Sequence, residues 1–241
     1  MPTSIVAELS SFPPGGAAVV FGSSGGVGRA LVDELRRSDA FVQVVPFSRN
    51  SDPAIDLEDE ASLTRAAKHA SDVGDIRLAI DATGFLHDTL QQPEKTWRDI
   101  EPTKLARSFA LNSIGPALIM KHVLPRLPRL GKAVFATLSA RVGSIGDNRL
   151  GGWYGYRASK AALNQLVRTA AIELRRRSPE SICVALHPGT VDTPLSVPFR
   201  KDGLELHSPS IAEERLLEVI NQLRPNDSGT FLDYHGKTVP W

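Results

Sequence analysis

The strongest fold signal in this chain is Ala17-Ala-Val-Val-Phe-Gly-Ser-Ser-Gly-Gly-Val-Gly-Arg29, which runs into the helical pattern 30–37. Five apolar residues predict a buried strand, and a glycine-rich turn and an amphipathic helix follow. Glycines allow positive φ angles and close approach to the backbone, and a helix start offers unpaired N–H groups. This order predicts a phosphate cradle for a dinucleotide, although a plain strand-to-helix turn has the same pattern. The cradle residues would be Gly22, Ser23, Ser24, Gly26, Val27 and Gly28.

Outward from this turn, apolar runs alternate with amphipathic stretches. Strands are predicted at 17–21, 41–46, 78–82, 133–138 and 182–186, and helices at 26–37, 103–124, 154–177 and 211–224. Such alternation indicates parallel βαβ units. Residues 54–57 and 229–234 can each add a strand. We therefore expect an α/β fold with a doubly wound, mostly parallel, seven-stranded Rossmann sheet and helices on both faces. No repeat or break in composition occurs, so residues 1–241 form one predicted domain.

Charge and composition exclude several classes of function. The 28 basic and 27 acidic side chains leave a formal charge of +1, which provides no long-range attraction for nucleic acid or anionic membranes. No apolar run is long enough to span a bilayer and no leader pattern opens the chain, so a cytoplasmic protein is expected. The six histidines are scattered and predict no metal site. Cys183, the single cysteine, lies in an apolar strand and is expected to be inert core.

The end of the second predicted strand bears on the choice of dinucleotide. Roughly twenty residues beyond the last glycine, proteins that select NAD place an acid on the ribose diol. Ser48 and Arg49 stand there instead. A guanidinium can pair with a 2′-phosphate, so NADP(H) is favoured over NAD(H). A solvated loop arginine is the alternative, and nearby Asp52 weakens the inference.

A second motif carries proton chemistry. Tyr156 and Lys160 lie four residues apart on a predicted helix and so share one face. An ammonium group near a phenol stabilises the phenolate and lowers its pKa. Ser139 ends a predicted central strand, at the edge where open α/β sheets bind ligands. A Tyr-x-x-x-Lys pair alone is often only solvated surface, but combined with Ser139 and the glycine turn it predicts reduction of a carbonyl or oxidation of an alcohol.

Together these residues resemble the short-chain dehydrogenase/reductase family from residue 19 to the last residue. The resemblance implies that Tyr156 gives or takes the substrate proton, Lys160 also holds the nicotinamide ribose, Ser139 positions the substrate oxygen and Asn112 holds a relay water. It implies a homodimer or homotetramer paired through the two long helices. It also implies further cofactor contacts from Asp56, Leu57, Ala82, Thr83, Gly84, Pro188, Gly189, Val191 and Thr193.

Two departures from the family pattern stand out. The usual Asn-Asn-Ala-Gly is Asp81-Ala-Thr-Gly84 here, so a side-chain contact that braces the sheet is expected to be lost or replaced. The interval between Ser139 and Tyr156 is longer than usual and includes 146–153. The stretch 138–144 (Leu-Ser-Ala-Arg-Val-Gly-Ser) and the last residues, 229–241, resemble the C-factor-like branch of the family, which is linked to cell-cell signalling in some bacteria.

Residues 194–215 are predicted to form a substrate lid, because prolines and a glycine interrupt their pattern. Apolar side chains in the lid and the longer interval predict a hydrophobic small molecule as the carbonyl or alcohol substrate; these are Leu150, Trp153, Leu195, Val197 and Phe199. Packing beneath the lid is an equal alternative for Trp153. A cofactor-binding signalling or regulatory protein with little catalysis is the second functional hypothesis. A nucleotide-sugar epimerase is disfavoured, since little sequence remains for a substrate region.

Overall fold

The computed structural model describes residues 8–196 and 206–241. Its strands are β1 (Ala17–Phe21), β2 (Gln43–Phe47), β3 (Ile76–Asp81), β4 (Ala133–Leu138), β5 (Ser181–His187), β6 (Thr190–Val191), β7 (Leu206–His207) and β8 (Phe231–Asp233). Its α-helices are α1 (Gly26–Arg37), α2 (Glu60–Asp72), α3 (Pro102–Phe109), α4 (Gly115–Val123), α5 (Tyr154–Arg177) and α6 (Pro209–Gln222).

Six parallel strands form the central sheet, in the order β2-β1-β3-β4-β5-β8. Strands β6 and β7 form a separate parallel pair. Apolar side chains leave each central strand alternately to the two faces, so Val19 and Phe21 join one buried cluster while Ala18 and Val20 join the other. Helices cover both faces, which confirms the doubly wound α/β fold. Cys183 is buried in β5, and burial raises the pKa of its thiol to about 12.

The predicted count of seven strands is wrong, because residues 54–57 form a loop. The Ile55 N–H donates to the Ser48 carbonyl at 3.0 Å, and the Asp56 N–H donates to Ser62 Oγ at 2.9 Å. These donors are satisfied within the connection to α2, so they cannot pair with a neighbouring strand. The predicted edge strand does exist as β8, which pairs in parallel with β5.

The predicted helix 103–124 is also not uniform. Between α3 and α4, residues Ala110–Ile114 form a π-helical turn. The Gly115 N–H donates to the Ala110 carbonyl, five residues back. Pro116 lacks an N–H, and a proline ring crowds the carbonyl four residues earlier, which is that of Asn112. The hydrogen bonds near Asn112 therefore join residues five apart instead of four, and such π turns occur frequently at functional sites.

The lid prediction falls partly outside the described residues, since 197–205, with Val197 and Phe199, are not among them. Its described parts are the turn up to Ser196, the strand β7 and the first residues of α6. Within 8–196 and 206–241, no helix has both the length and the apolar character needed to cross a membrane.

The C-terminal end of α6 is held by Lys132, which leads into β4. Its half-buried Nζ donates to the carbonyls of Ile220 (3.0 Å) and Asn221 (2.8 Å) and to Ser11 Oγ (2.8 Å). The Ile220 carbonyl also accepts a long hydrogen bond from the Leu223 N–H (3.4 Å), so Lys132 adds a second donor at the end of the helix, where a cation suits the dipole. We expect Lys132→Met to lower the free energy of unfolding by about 1–3 kcal/mol, measured by urea denaturation.

Lys68→Met is the matched control for this measurement. Lys68 lies on the exposed face of α2 and pairs with exposed Asp72 one turn away. Exposed pairs of this kind contribute about 0.3–0.5 kcal/mol. Equal losses in both variants would contradict the role given to Lys132.

Candidate active site

The glycine turn after β1 packs tightly against itself and against β3. Gly22 has φ +80°, and a β-carbon there would lie 2.9 Å from the Ala82 carbonyl oxygen. A β-carbon at Gly28 would lie 2.2 Å from the Gly22 oxygen. The N–H groups of Gly22 and Ser23 donate to the Phe47 carbonyl at 2.8 and 3.0 Å, which ties the turn to the end of β2. Only glycine fits at these two positions, as a cradle for a pyrophosphate requires.

The loop after β5 lies beside the start of α1. A β-carbon at Gly26 would lie 2.7 Å from Thr193 Cγ2, so these two predicted cofactor residues are in contact. Gly189, which follows Pro188, has φ +82° and packs against His207 of β7. Val191 is buried in β6 and aligned with His207. The structure therefore brings this loop to the same edge of the sheet as the glycine turn.

Lys160, Asn112 and Gly84 meet at the end of β3. A β-carbon at Gly84 would lie 3.7 Å from Lys160 Nζ and 3.8 Å from Asn112 Oδ1. Lys160 is 2% exposed, and its Nζ donates to the Leu138 carbonyl at 2.8 Å. The lysine is thus anchored at the end of β4, directly before Ser139.

The side chain of Asn112 is fully buried, and both its oxygen and its nitrogen are hydrogen-bonded. Its Oδ1 accepts from the Phe85 N–H at 2.7 Å, and its Nδ2 donates to the Phe85 carbonyl (2.7 Å) and to Ser159 Oγ (3.2 Å). These bonds join the π turn, the loop after β3 and α5. Pro116 cannot donate to the main-chain carbonyl of Asn112.

Ser139 is held by a residue that the sequence reasoning missed. Its N–H donates to the Leu186 carbonyl at 2.8 Å, and its Oγ donates to Asn164 Oδ1 at 2.7 Å. Asn164 is buried on α5, and its Nδ2 lies 3.5 Å from the Gly143 carbonyl. It follows Lys160 by four residues, so a polar residue on the Tyr156 and Lys160 face was the available signal.

Tyr156 lies in the first turn of α5, where its ring packs edge-to-face on Trp153 with a centroid distance of 6.1 Å. Burial raises the pKa of the phenol to about 12. Burial also lowers the pKa of Lys160 to about 8, an effect that Asp81 opposes. The expected lowering of the phenol pKa by Lys160 is not seen in the chain alone, because desolvation dominates. A phenol with this pKa keeps its proton at neutral pH.

The start of α5 is held by a distant carboxylate, which was also missed. Trp153, the residue before the helix, has φ +54° and no side-chain cap. Buried Glu94 accepts from the Gly155 N–H at Oε2 (3.1 Å) and from the Trp153 N–H at its main-chain oxygen (2.5 Å). Trp153 packs on α5 through Tyr156, while Leu150 is 82% exposed. No local pattern links Glu94 to residues some sixty positions later.

The residues predicted to contact the adenosine half of the dinucleotide differ from one another in burial and in their contacts. Ser48 is buried, and its Oγ accepts from the Asn50 N–H at 3.2 Å. Arg49 is exposed directly after β2. Leu57 packs on α4, where a β-carbon at Gly115 would lie 2.8 Å from its own. The Oδ1 of exposed Asp56 accepts from the Glu58 N–H. Of this group, Arg49 is the positively charged side chain open to solvent.

Asp81 makes a contact between β3 and β4 in place of the one expected from the usual asparagine. Fully buried at the end of β3, it accepts from Thr137 Oγ1 (2.7 Å) on β4 and from Thr83 Oγ1 (2.6 Å) and N (3.0 Å). Asp81 and Thr137 are aligned in the sheet. The carboxylate therefore joins β3 to β4 and fixes the turn that carries Ala82, Thr83 and Gly84.

Known proteins share this sequence pattern. Residues 16–203 match the family model described as short chain dehydrogenase. The C-signal of Myxococcus xanthus is 39% identical over 144 residues, which cover 59% of this chain and 82% of that protein. The 1-hydroxy-2-glutathionyl-2-methyl-3-butene dehydrogenase of a Rhodococcus strain is 30% identical over 191 residues, 79% of this chain and 80% of that protein.

Solved structures share the fold. An NADPH-bound carbonyl reductase from chicken fatty liver superposes with a TM-score of 0.80 at 25% identity, covering 93% of this chain and 98% of that one. The carbonyl reductase Sniffer of D. melanogaster gives a TM-score of 0.81 at 21% identity, covering 95% and 100%, which supports the fold alone. Because the family model matches most of this chain, residues 16–203, the chain belongs to the short-chain dehydrogenase/reductase family and is an oxidoreductase.

Proposed function

We propose that this protein transfers a hydride between NADP(H) and a carbonyl or alcohol substrate, with Tyr156 as the general acid or base. One observation carries the proposal. Lys160 and Asn112 meet at the end of β3, and Ser139 follows the strand end to which Lys160 is bonded, at the sheet edge that also holds the glycine turn. Similarity to an NADPH-bound carbonyl reductase supports the same chemistry.

The residues at this edge fit a dinucleotide. The N-terminus of α1 and the turn from Gly22 to Gly28 would receive the pyrophosphate, and the loop from Pro188 to Thr193 would face the nicotinamide. Lys160 would hold the nicotinamide ribose. A nicotinamide cofactor, when bound, supplies or accepts the hydride. Everything else in the reaction falls to side chains of this chain.

The proton chemistry favours reduction. Burial keeps the Tyr156 phenol protonated at neutral pH, so it has a proton to give to a substrate oxygen as negative charge develops there. Ser139 would hold that oxygen, and its own orientation is set by Asn164. The Lys160 ammonium would stabilise the phenolate left after transfer. In the direction of alcohol oxidation, the same groups work in reverse.

Arg49 would select NADP(H) over NAD(H) by pairing with the 2′-phosphate. We expect Arg49→Ala to weaken NADPH binding about 10- to 100-fold, since a charge-assisted hydrogen bond contributes about 1.5–3 kcal/mol. NADH binding should change by less than about twofold, because no phosphate is there to lose. Both dissociation constants are measured by titrating nucleotide fluorescence.

Arg65→Ala is the matched control, because Arg65 is an exposed arginine on α2 that faces Asp59. It should bind both nucleotides as the parent does. Equal weakening of NADPH and NADH by Arg49→Ala would contradict the selectivity given to Arg49.

A hydrophobic small molecule remains the proposed substrate, and a homodimer or homotetramer the proposed assembly. Exposed apolar residues near the long helices, Ile114, Leu166 and Ile172, support pairing through them. Sedimentation velocity measures this directly. The cytoplasmic location stays a prediction.

The alternative is a cofactor-binding signalling or regulatory protein with little catalysis, favoured by the similarity to the C-signal of M. xanthus. Titration with NADPH and NADH, followed by screening of aldehydes, ketones and quinones, separates the two. Turnover supports the enzyme, whereas tight binding without turnover supports the alternative.

A further inference from the structure

Three consecutive residues before α5 have left-handed backbone conformations. Gly151 has φ +63°, Gly152 has φ +64° and Trp153 has φ +54°. Glycine adopts such angles readily, whereas a bulky residue such as tryptophan rarely does. In the described part of the chain, Asp39 is the other non-glycine residue with a positive φ. Conformations of this kind persist only where the surrounding structure enforces them, and they occur often at active sites.

Arg157, which follows Tyr156 on α5, holds this turn from the helix. Its Nε donates to the carbonyls of Gly151 (3.2 Å) and Gly152 (3.0 Å), and its Nη1 donates to the Val142 carbonyl at 3.3 Å. The half-buried guanidinium therefore ties the left-handed turn both to the catalytic helix and to the segment after β4. A relaxed turn would lose these hydrogen bonds.

Glu94, in the connection from β3 to α3, holds the last residue of the turn. Its main-chain oxygen accepts from the Trp153 N–H at 2.5 Å, and its side chain accepts from the Gly155 N–H at 3.1 Å. Trp153 and the first turn of α5 are therefore fixed to the same residue. Together with Arg157, Glu94 enforces a conformation that tryptophan disfavours by itself.

The Trp153 ring is thereby placed against the ring of Tyr156. The two rings pack edge-to-face, with 6.1 Å between their centroids and 69° between their planes, an arrangement that aromatic pairs favour. Within residues 8–196 and 206–241, no hydrogen bond holds the Tyr156 hydroxyl, so packing restrains the phenol. A proton donor has to lie within hydrogen-bond distance of the atom that it protonates. The orientation of this ring therefore matters for proton transfer.

We propose that Trp153 is a positioning residue, held in its left-handed conformation so that its ring orients the Tyr156 phenol toward the substrate oxygen. The effect on turnover rests on the proposed function of Tyr156. This role differs from that of an apolar wall for the substrate. Misplacing the proton donor lowers kcat, whereas removing a wall that contacts substrate and transition state alike raises KM.

Kinetics of Trp153→Gly separate these two roles, because glycine removes the ring and still adopts a positive φ. We expect kcat to fall about 5- to 50-fold while KM and NADPH affinity stay within about twofold of the parental values. Trp153→Phe restores an aromatic ring and should keep kcat within about threefold. Parental kinetics in Trp153→Gly, or a higher KM at unchanged kcat, would overturn the proposal.

Asp39→Gly is the matched control for these kinetics. It places glycine at the other left-handed position, which is exposed in the connection from α1 to β2. Its kcat should equal that of the parent. An equal loss of kcat in Asp39→Gly and Trp153→Gly would overturn the role given to the Trp153 ring.

The enforced backbone conformation is tested by stability. Trp153→Ala removes the ring as Trp153→Gly does, but alanine disfavours a positive φ. The equilibrium constant for unfolding, measured in urea, should therefore be about 3- to 10-fold larger in Trp153→Ala than in Trp153→Gly. Equal stability of the two variants would overturn the proposal.

A measurement without nucleotide or substrate keeps the orientation of Tyr156 separate from its chemistry. The three tyrosines are labelled for NMR, and the Tyr156 signal is assigned by its loss in Tyr156→Phe. Three-bond couplings should report one χ1 rotamer in the parent and in Trp153→Phe, but averaging among rotamers in Trp153→Gly. A single rotamer retained in Trp153→Gly would overturn the proposal. If averaging is found but the parent shows no nucleotide-dependent turnover, Trp153 orients Tyr156 and the proposed function fails.

Discussion

Tyr156→Phe is expected to reduce kcat by about 100- to 10,000-fold while leaving the affinity for NADPH within about threefold of the parental value. The substitution removes only the hydroxyl that would deliver the proton. The ring keeps its edge-to-face contact with Trp153, so the first turn of α5 should stay in place. Turnover is followed by NADPH absorbance with a ketone or quinone that the parent reduces, and binding by nucleotide fluorescence.

Tyr154→Phe is the matched control for this prediction. Tyr154 also lies in the first turn of α5, but two residues earlier and so on another face of the helix. Its loss should change kcat by less than about twofold. Parental turnover by Tyr156→Phe would remove Tyr156 from the mechanism, and equal losses in both variants would point to damage at the helix start.

Gly28→Ala is expected to lower the free energy of unfolding by about 3 kcal/mol or to prevent folding. Its β-carbon would lie 2.2 Å from the Gly22 carbonyl oxygen and 3.2 Å from Ser23 Cα, both main-chain atoms. Main-chain atoms in a turn between a buried strand and a helix cannot move aside as a flexible side chain does. Urea denaturation followed by circular dichroism, without nucleotide, measures the loss.

The same turn offers its own control in Gly25→Ala. Gly25 has φ −72° and ψ 163°, which alanine adopts without strain. A β-carbon there would make ordinary contact with the Gly22 oxygen, at 3.4 Å. Stability should change by less than about 1 kcal/mol. If both alanine variants were equally stable, the close packing of Gly28 on Gly22 would not be what requires glycine.

Local patterns were sufficient for the architecture and the family. Apolar runs alternating with amphipathic helices predicted the doubly wound sheet, because the spacing of apolar residues along the sequence shows directly which faces are buried. The glycine turn was recognisable for the same reason, since its order of strand, turn and helix is contiguous. The four-residue spacing of Tyr156 and Lys160 placed both on one helix face without knowledge of the rest of the chain.

Errors arose where partners distant in the chain, or backbone hydrogen bonds, set the outcome. Residues 54–57 have a strand-like composition, but the N–H groups of Ile55 and Asp56 donate to Ser48, just after β2, and to Ser62 of α2. The helix predicted over 103–124 contains a π turn beside Asn112, because Pro116 lacks the N–H donor that a regular α-helical turn needs. The composition of a segment indicates which secondary structure it favours. The hydrogen-bond partners that the folded chain offers decide which structure it adopts.

The amino-acid sequence alone therefore predicts the alternation of strands and helices, the glycine turn and the tyrosine proposed as the acid, because each prediction depends on residues within a few positions of one another. The packed molecule alone shows that Asn164 orients Ser139, that Glu94 holds the start of α5 and that Asp81 joins two strands beside Lys160. Those contacts join residues that lie 25 to 61 positions apart, so no local pattern in the sequence predicts them.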